Sequence, residues 1–539
     1  MNAKKILSAF IISALVSTLI IINSPITVDA NFIPIPAPTP AITIQSDGSI
    51  NPSSSPITCE GNVYTLTENI TGYNIVIAKN NVILDGANYV LNGNSSFAGI
   101  FVQVQNDVTI QNFNIHGYKY GIFFTWHYNY GSYQSSNNII SNNTLSGNTY
   151  GIYIGDFSFN NTLLANTATN NTYGIYLDAT SNNVLKNNIM TFNSFNFFVS
   201  GSSSTGINDA DTSNTIEGKP VIYWVNQQNK QVPSNAGYIA LVNCTNILVE
   251  NFTLNHNGQA MLFVGLTDSI IKNNNLAENI NALWIMYSSN LTITQNIFSD
   301  NYKATFYMVS SNNTTILENT FKNGGYNGTE SPQALSNGAQ SAIWLRSSTN
   351  NNIHNNTFVG NGEGVSLGSS TNNHVTDNIF DQTNATAIHF YDSYENNITS
   401  NTITHGKGIA VKIWSSQNNL IKSNLIANNT IGILIDASSD NHVLENEITN
   451  STEWGIQIKS TFDSSSCSTN NIIIHNNFIN NQQGDGLDVS IPGVMVILGG
   501  FIPGLSNIWD DGFEGNYWSK YQTRYPNTSQ VPGAGIWEI

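Results

Sequence analysis

The sequence predicts an all-β chain: a single-stranded right-handed parallel β-helix solenoid of about fifteen coils with 22–23-residue repeats. Three observations predict it. Fourteen asparagines recur at a nearly fixed step: Asn112, Asn143, Asn166, Asn188, Asn251, Asn274, Asn296, Asn319, Asn356, Asn378, Asn401, Asn424, Asn446 and Asn476. Nine of the thirteen gaps are 22 or 23 residues, and the others (31, 63, 37 and 30) read as loops inserted into single repeats. Short runs with alternating apolar positions flank the markers, as in Gly174-Ile175-Tyr176-Leu177 and Gly432-Ile433-Leu434-Ile435, which argues for strands. Asn, Ser, Gly and Asp punctuate between the runs, as turns require. Outside the N-terminus no window carries a 3.6-residue period. A leucine-rich repeat would want a leucine framework, whereas Ile and Asn dominate here.

The elements follow in order. Lys4 and Lys5 precede an apolar stretch from Ile6 to Ile22, and Val28-Asp29-Ala30 is a small-residue cleavage site. Residues 1–30 therefore read as a secretory signal peptide, or as a membrane anchor if uncleaved. Residues 31–59 are rich in Pro and Ser and suit a linker. The β-helix is expected over 60–480, with Asp85 in a first, variant coil and an insert at 200–237. Residues 481–539 are expected to cap it, including the apolar but Pro- and Gly-interrupted run from Val489 to Leu505. In parallel coils about 4.8 Å apart, each marker asparagine lies over the last. Asn166, Asn188, Asn274, Asn296, Asn378, Asn401, Asn424 and Asn446 are thus expected to form a hydrogen-bonded ladder along the axis.

Composition narrows the function. Only 9% of residues are charged and the net charge is −17. Basic patches are absent, so no nucleic-acid partner is expected. Cys59, Cys244 and Cys467 are few and far apart, which is neither a disulfide framework nor a zinc site. His354, His374 and His442 read as polar turn residues. No metal site and no cofactor is expected. Asn-x-Ser/Thr sequons, among them Asn69, Asn94, Asn290, Asn327, Asn384 and Asn527, read mainly as by-products of an Asn-rich chain.

Four stretches carry a family resemblance. They are the opening Ile44–Ile50 with Gly61-Asn62-Val63-Tyr64, the repeats, the segment from Gly218 to Cys244, and the closing Ile508-Trp509-Asp510-Asp511-Gly512 with Gly515 to Tyr521. The chain resembles the NosD-type β-helix proteins of the pectin-lyase-like superfamily, sometimes labelled periplasmic copper-binding. Within it, the chain looks most like large secreted archaeal surface proteins. The resemblance implies the fold, export to the cell surface or beyond, and, through the family label, an accessory role in maturing a copper enzyme. A soft-metal site would need a Cys, His or Met cluster, and the sequence shows none. The closing Gly535-Ile536-Trp537-Glu538-Ile539 falls where relatives are expected to continue toward a surface anchor.

Aligning the repeats on the marker gives outward columns. Positions 12 and 10 before it pair Trp284 with Met286, Tyr307 with Val309, Trp344 with Arg346, Ser366 with Gly368, and His389 with Tyr391. Lys412 with Trp414, Leu434 with Asp436, and Gln457 with Lys459 follow. Trp344, His389, Tyr391 and Trp414 are candidate glycan-binding residues, because aromatic faces stack on sugar rings. Arg346, Lys412, Asp436 and Lys459 are the weaker catalytic candidates, with an Asp436–Lys459 ion pair as the simpler reading. Insertions at 322–341 and 460–470, and an aromatic loop with Trp126, His127, Tyr128, Tyr130 and Tyr133, would wall a groove for an extended polysaccharide. Asp156 and Asp178 form a possible carboxylate pair. The reading is a secreted or cell-surface, non-catalytic glycan-binding or envelope protein. The alternatives are a polysaccharide lyase or glycoside hydrolase, and a copper-site accessory.

Overall fold

The computed structural model describes residues 40–94, 97–125, 135–155, 158–200, 207–325, 340–459, 468–489, 507–509 and 515–519. The expected signal peptide, the aromatic loop at 126–134, Asp156, Cys467, most of the two insertions and most of the expected cap at 481–539 lie outside them.

The described chain is a parallel β-solenoid of about 16 turns at ~23-residue spacing. It is built as two stacks of three-sided coils. In the N-terminal stack the first face runs from strand Ala41–Ile44 to strand Phe195–Val199. The second face runs from Val63–Leu66 to Asp209–Ala210, and the third from Ile70–Thr71 to Thr215–Ile216. In the C-terminal stack the faces begin with Lys219–Val225, Gln228–Gln231 and Thr253–Asn255. They end with Gly484–Val489, Ile472–Ile474 and Tyr517–Trp518. Successive rungs pair in parallel and in register within each face, as in Ile388↔Val411↔Ile433.

The sequence-expected linker at 31–59 is partly strand. Ala41–Ile44, Ile50–Asn51 and Ile57–Glu60 start the solenoid, because alternating Ile42, Ile44 and Ile57 reach the core. The insert at 200–237 is the join between stacks. Thr215–Ile216 turns back through Glu217 (φ 48°) and Gly218 (φ 76°) to pair antiparallel with Lys219–Val225. Two positive φ values in a two-residue turn explain a glycine there. The strands after the turn have both sides buried. Val221, Tyr223, Tyr238, Ala240 and Val242 belong to the N-terminal core, whereas Ile222, Ile239 and Leu241 belong to the C-terminal core.

Asparagine ladders hold the coils. Asn401 is typical of them. Its backbone N–H and its Nδ2 donate to Asn424 Oδ1 (2.9 and 3.0 Å), and Nδ2 also reaches Val375 O (2.8 Å). Its own Oδ1 accepts from the N–H and Nδ2 of Asn378 (3.0 and 3.1 Å). All eight asparagines expected in the ladder stand in this column and are buried. Two other markers are displaced. Asn112 and Asn251 sit one residue earlier, in the left-handed region (φ 58° and 65°). Phe113 and Phe252 occupy the ladder position and only donate their N–H, to Asn143 and Asn274 (3.0 Å each). Asp85 is likewise off the column, aligned with Gln111. Asn214 and Asn516 extend the two ladders at their far ends, accepting from Asn188 and Asn476. Parallel ladders run through the other corners, as in Asn351–Asn373–Asn396 and Ser370–Ser393–Ser416. Inside the core, Phe298, Phe321, Phe358 and Phe380 stack at 4.8, 4.7 and 4.5 Å, which is the strand spacing.

Candidate functional site

The columns expected on the first face of the C-terminal stack are in register. Trp284, Tyr307, Trp344, Ser366, His389, Lys412, Leu434 and Gln457 align rung by rung, as do Met286, Val309, Arg346, Gly368, Tyr391, Trp414, Asp436 and Lys459. Exposure divides them. Arg346 is exposed. Tyr307, Trp344, Tyr391, Lys412, Trp414, Asp436 and Lys459 are half-buried. The Tyr307 and Trp344 rings lie 4.7 Å apart, Trp344 Nε1 donates to Tyr391 Oη at 3.4 Å, and Lys412 Nζ sits 5.7 Å from the Trp414 ring. These contacts fix the rings at one surface by tilted ring packing, a hydrogen bond and a cation–π contact.

Six outward positions depart from the expectation; two of them, Leu434 and Gln457, are only 6% and 7% exposed. Met286 is buried because it packs into the N-terminal core at the join. Ser366 is fully buried, and its Oγ donates to Glu363 Oε2 at 2.7 Å. Gly368 lies beneath the Tyr391 ring, so closely that a Cβ there would come within 2.0 Å of the ring. His389, expected to bind ligand, is only 3% exposed, with neither ring nitrogen hydrogen-bonded. Its Nδ1 is 3.9 Å from Glu363 Oε1. Burial first, and then the Lys412 charge on the next rung, push its pKa down to about 3. The imidazole is neutral and out of reach of a ligand in solvent. The expected Asp436–Lys459 ion pair is not among the ion pairs of the described residues, although the two align on neighbouring rungs.

Sequence reasoning missed Glu363 and Ser341. Ser341 Oγ donates toward Glu363 Oε2 (2.9 Å) and Ser366 Oγ (2.8 Å), so the carboxylate is tied down under the stripe. The available signal was an acidic residue opening a strand in a chain with few charges.

It also missed a second aromatic surface, on the first face of the N-terminal stack. Tyr120, Tyr150, Tyr173 and Phe195 form one column, with successive rings 5.0, 4.6 and 5.4 Å apart. Phe101, Phe123, Tyr153, Tyr176 and Phe198 form the next. The sequence signal was there, in Tyr150-Gly151-Ile152-Tyr153 and Tyr173-Gly174-Ile175-Tyr176. Asp178 accepts from Tyr153 Oη at 2.5 Å and also from Ser200 Oγ. Burial, then this bond, holds the Tyr153 phenol far above its usual pKa, and burial raises Tyr150 to about 12.

Among the described residues no three His, Cys, Asp or Glu side chains gather as a metal site would need. Cys59 is exposed and Cys244 buried, both as free thiols, and burial raises the Cys244 thiol. This donor set does not fit a copper centre.

Fold and surface together define a parallel β-helix protein with an aromatic and charged sheet face. The chain belongs to the family described as "Periplasmic copper-binding protein (NosD)", whose model matches residues 53–236, 208–382 and 323–466. No curated protein matches it. Several solved structures match it at low overall similarity. One is a mutant of the periplasmic alginate epimerase AlgG, 9% identical over 86% of this chain and 79% of its own, at a TM-score of 0.32. Another is DFA-IIIase from Arthrobacter chlorophenolicus A6 with GF2, 11% identical over 57% and 84%, at 0.29. A third is a double mutant of the tailspike of E. coli bacteriophage HK620 with a pentasaccharide, 10% identical over 72% and 71%, at 0.30. At these TM-scores they carry no argument about this chain.

Proposed function

We propose that the protein is exported and binds extended glycans along the first face of its C-terminal stack, without catalysing their cleavage. The observation that carries this reading is the row of half-exposed Tyr307, Trp344, Tyr391 and Trp414, flanked by Arg346 and Lys412 on a rigid sheet. Rings held this way offer stacking faces to sugar rings, and the cations offer donors to hydroxyls and carboxylates. The non-catalytic part is supported by the state of the acid–base groups. Glu363 is engaged by two serine hydroxyls and His389 is sealed in. Glycosidases use two carboxyl groups roughly 5–9.5 Å apart, one on each side of the scissile bond. The export part is supported by Lys4-Lys5, the Ile6 to Ile22 segment and the family's periplasmic description.

The test is a glycan array probed with the purified chain, followed by analysis for released oligosaccharides. Binding without product supports the reading. Product that disappears on changing Arg346, Lys412 or Asp436 would replace it with a polysaccharide lyase or hydrolase. Copper retained stoichiometrically through dialysis, without glycan binding, would replace it with the copper-accessory role in the family's description.

A further inference from the structure

The sequons acquire a pattern once placed on the coil. At a typical corner the chain runs through an exposed residue in the left-handed region, then a buried residue, then a residue that opens or closely precedes the next strand. Where the first is Asn and the third Thr, the corner itself writes Asn-x-Thr. Asn142, Asn160, Asn170, Asn243, Asn251, Asn428 and Asn450 all fit, with φ between 50° and 65° and with exposed side chains. The middle residue of each is held in the wall, as Asn143, Asn161, Asn171 and Asn429 are by their ladders. Among the described residues no hydrogen bond engages the side-chain amides of these seven.

Sequons elsewhere on the coil differ. Asn312, Asn384 and Asn397 are half-buried and their amide groups are occupied. Asn312 Oδ1 accepts from Thr349 N and Oγ1 (3.0 and 2.9 Å). Asn384 donates to Gly360 O (3.3 Å) and accepts from Lys407 Nζ (3.0 Å). Asn397 Nδ2 pairs with His374 Nδ1 at 3.0 Å.

We propose that the exported chain is N-glycosylated at the free corner asparagines Asn142, Asn160, Asn170, Asn243, Asn251, Asn428 and Asn450, and not at Asn312, Asn384 or Asn397. The donor is an oligosaccharide linked through phosphate to a membrane lipid, and a host oligosaccharyltransferase carries out the transfer. Asn Nδ2 attacks the anomeric carbon. The C1–N bond forms, the C1–O bond to phosphate breaks, the lipid phosphate leaves with the electron pair, and the amide gives up one proton. Accessibility selects the acceptors, since the transferase needs an amide that can leave the protein surface. The corner after the candidate binding face carries Ser347, Ser369, Asp392, Ser415 and Ala437 in the same left-handed position. Sugars on the proposed acceptors therefore leave that edge of the binding face bare from Ser347 to Ala437, with Asn243 at the far start of the same corner.

The proposal rests on export, and the experiment separates the two. The full chain is recovered from the cells that make it, by fraction, and its glycopeptides are mapped by mass spectrometry. Oligosaccharide on the seven corner acceptors, with Asn312, Asn384 and Asn397 bare, is the expected result. Thr430→Ala and Thr452→Ala should each remove one glycan mass while leaving the ladder residues in place. A chain confined to the cytoplasm overturns export and this proposal with it. An exported chain with no glycan overturns this proposal alone. Equal occupancy of the tied and the free acceptors overturns the selection by accessibility.

Discussion

The two stacks share a coil and a ladder, yet dress the same face differently. On the N-terminal stack the first face carries columns of Tyr and Phe that contact one another from rung to rung, and Asp178 is engaged by Tyr153 and Ser200. On the C-terminal stack the face carries Trp and Tyr with gaps at Ser366 and Gly368, and it keeps Arg346, Lys412, Asp436 and Lys459 at or near the surface. An aromatic on every rung finds its partner on the next rung and behaves as an external core. Aromatics interrupted by small and charged residues keep free ring area. The difference between a surface that stabilises and one that recognises thus lies in the spacing of rings along the axis.

The comparison can be broken first through what the stacks share. Asn401→Leu should destabilise the C-terminal stack by about 4 kcal/mol, because it strips partners from Asn378, Asn424 and Val375 O at once. Asn166→Leu should cost as much in the N-terminal stack. Urea unfolding of both variants checks it, and a near-neutral result for either would deny the ladder its structural role there. Tyr176→Ala should cost about 3 kcal/mol through lost ring packing and leave glycan binding unchanged. If glycan binding fell instead, the N-terminal face would be a recognition surface as well.

His389 sharpens the comparison by pH. Its folded pKa lies below the unfolded value of 6.5, so it contributes stability that is present above pH 6.5 and is lost as pH falls toward 3. From pH 6.5 to 5 this amounts to about 2 kcal/mol. Thermal unfolding across that window should show the loss in the native chain and a smaller one in His389→Phe. An identical acid profile for the two would place the sensitivity elsewhere. The smallest stability effect belongs to Trp414→Ala, below about 1 kcal/mol as for a surface position, while glycan affinity should fall at least about tenfold, or roughly 1.4 kcal/mol. A large destabilisation would mean that Trp414 belongs with the self-packed rings of the other stack.

Much of this was legible in the sequence, for a physical reason. A solenoid repeats one local solution, so the 22- or 23-residue step and the alternation within each run report register directly. Tyr391, Trp414 and Lys412 could therefore be assigned to their columns before any coordinates. What the period does not carry is the identity of the residue at a displaced position. Asn112 and Asn251 looked like ladder residues because an asparagine suits both the left-handed corner and the ladder, and only the pairing of Phe113 with Asn143 and of Phe252 with Asn274 tells them apart.

By itself the sequence determined the fold class, the parallel register and the columns of the outer face, because these follow from local periodicity. Only the tertiary structure decided which outward positions meet solvent. Met286 is buried because another stack lies against it, Gly368 because Tyr391 folds across it, and His389 because its surroundings close over it. It also decided which asparagines are free, since a corner amide and a half-buried one read alike as letters. Burial and hydrogen bonding depend on neighbours from distant rungs and on the turn at Glu217 and Gly218 that joins the stacks, and a repeat pattern carries no record of those contacts.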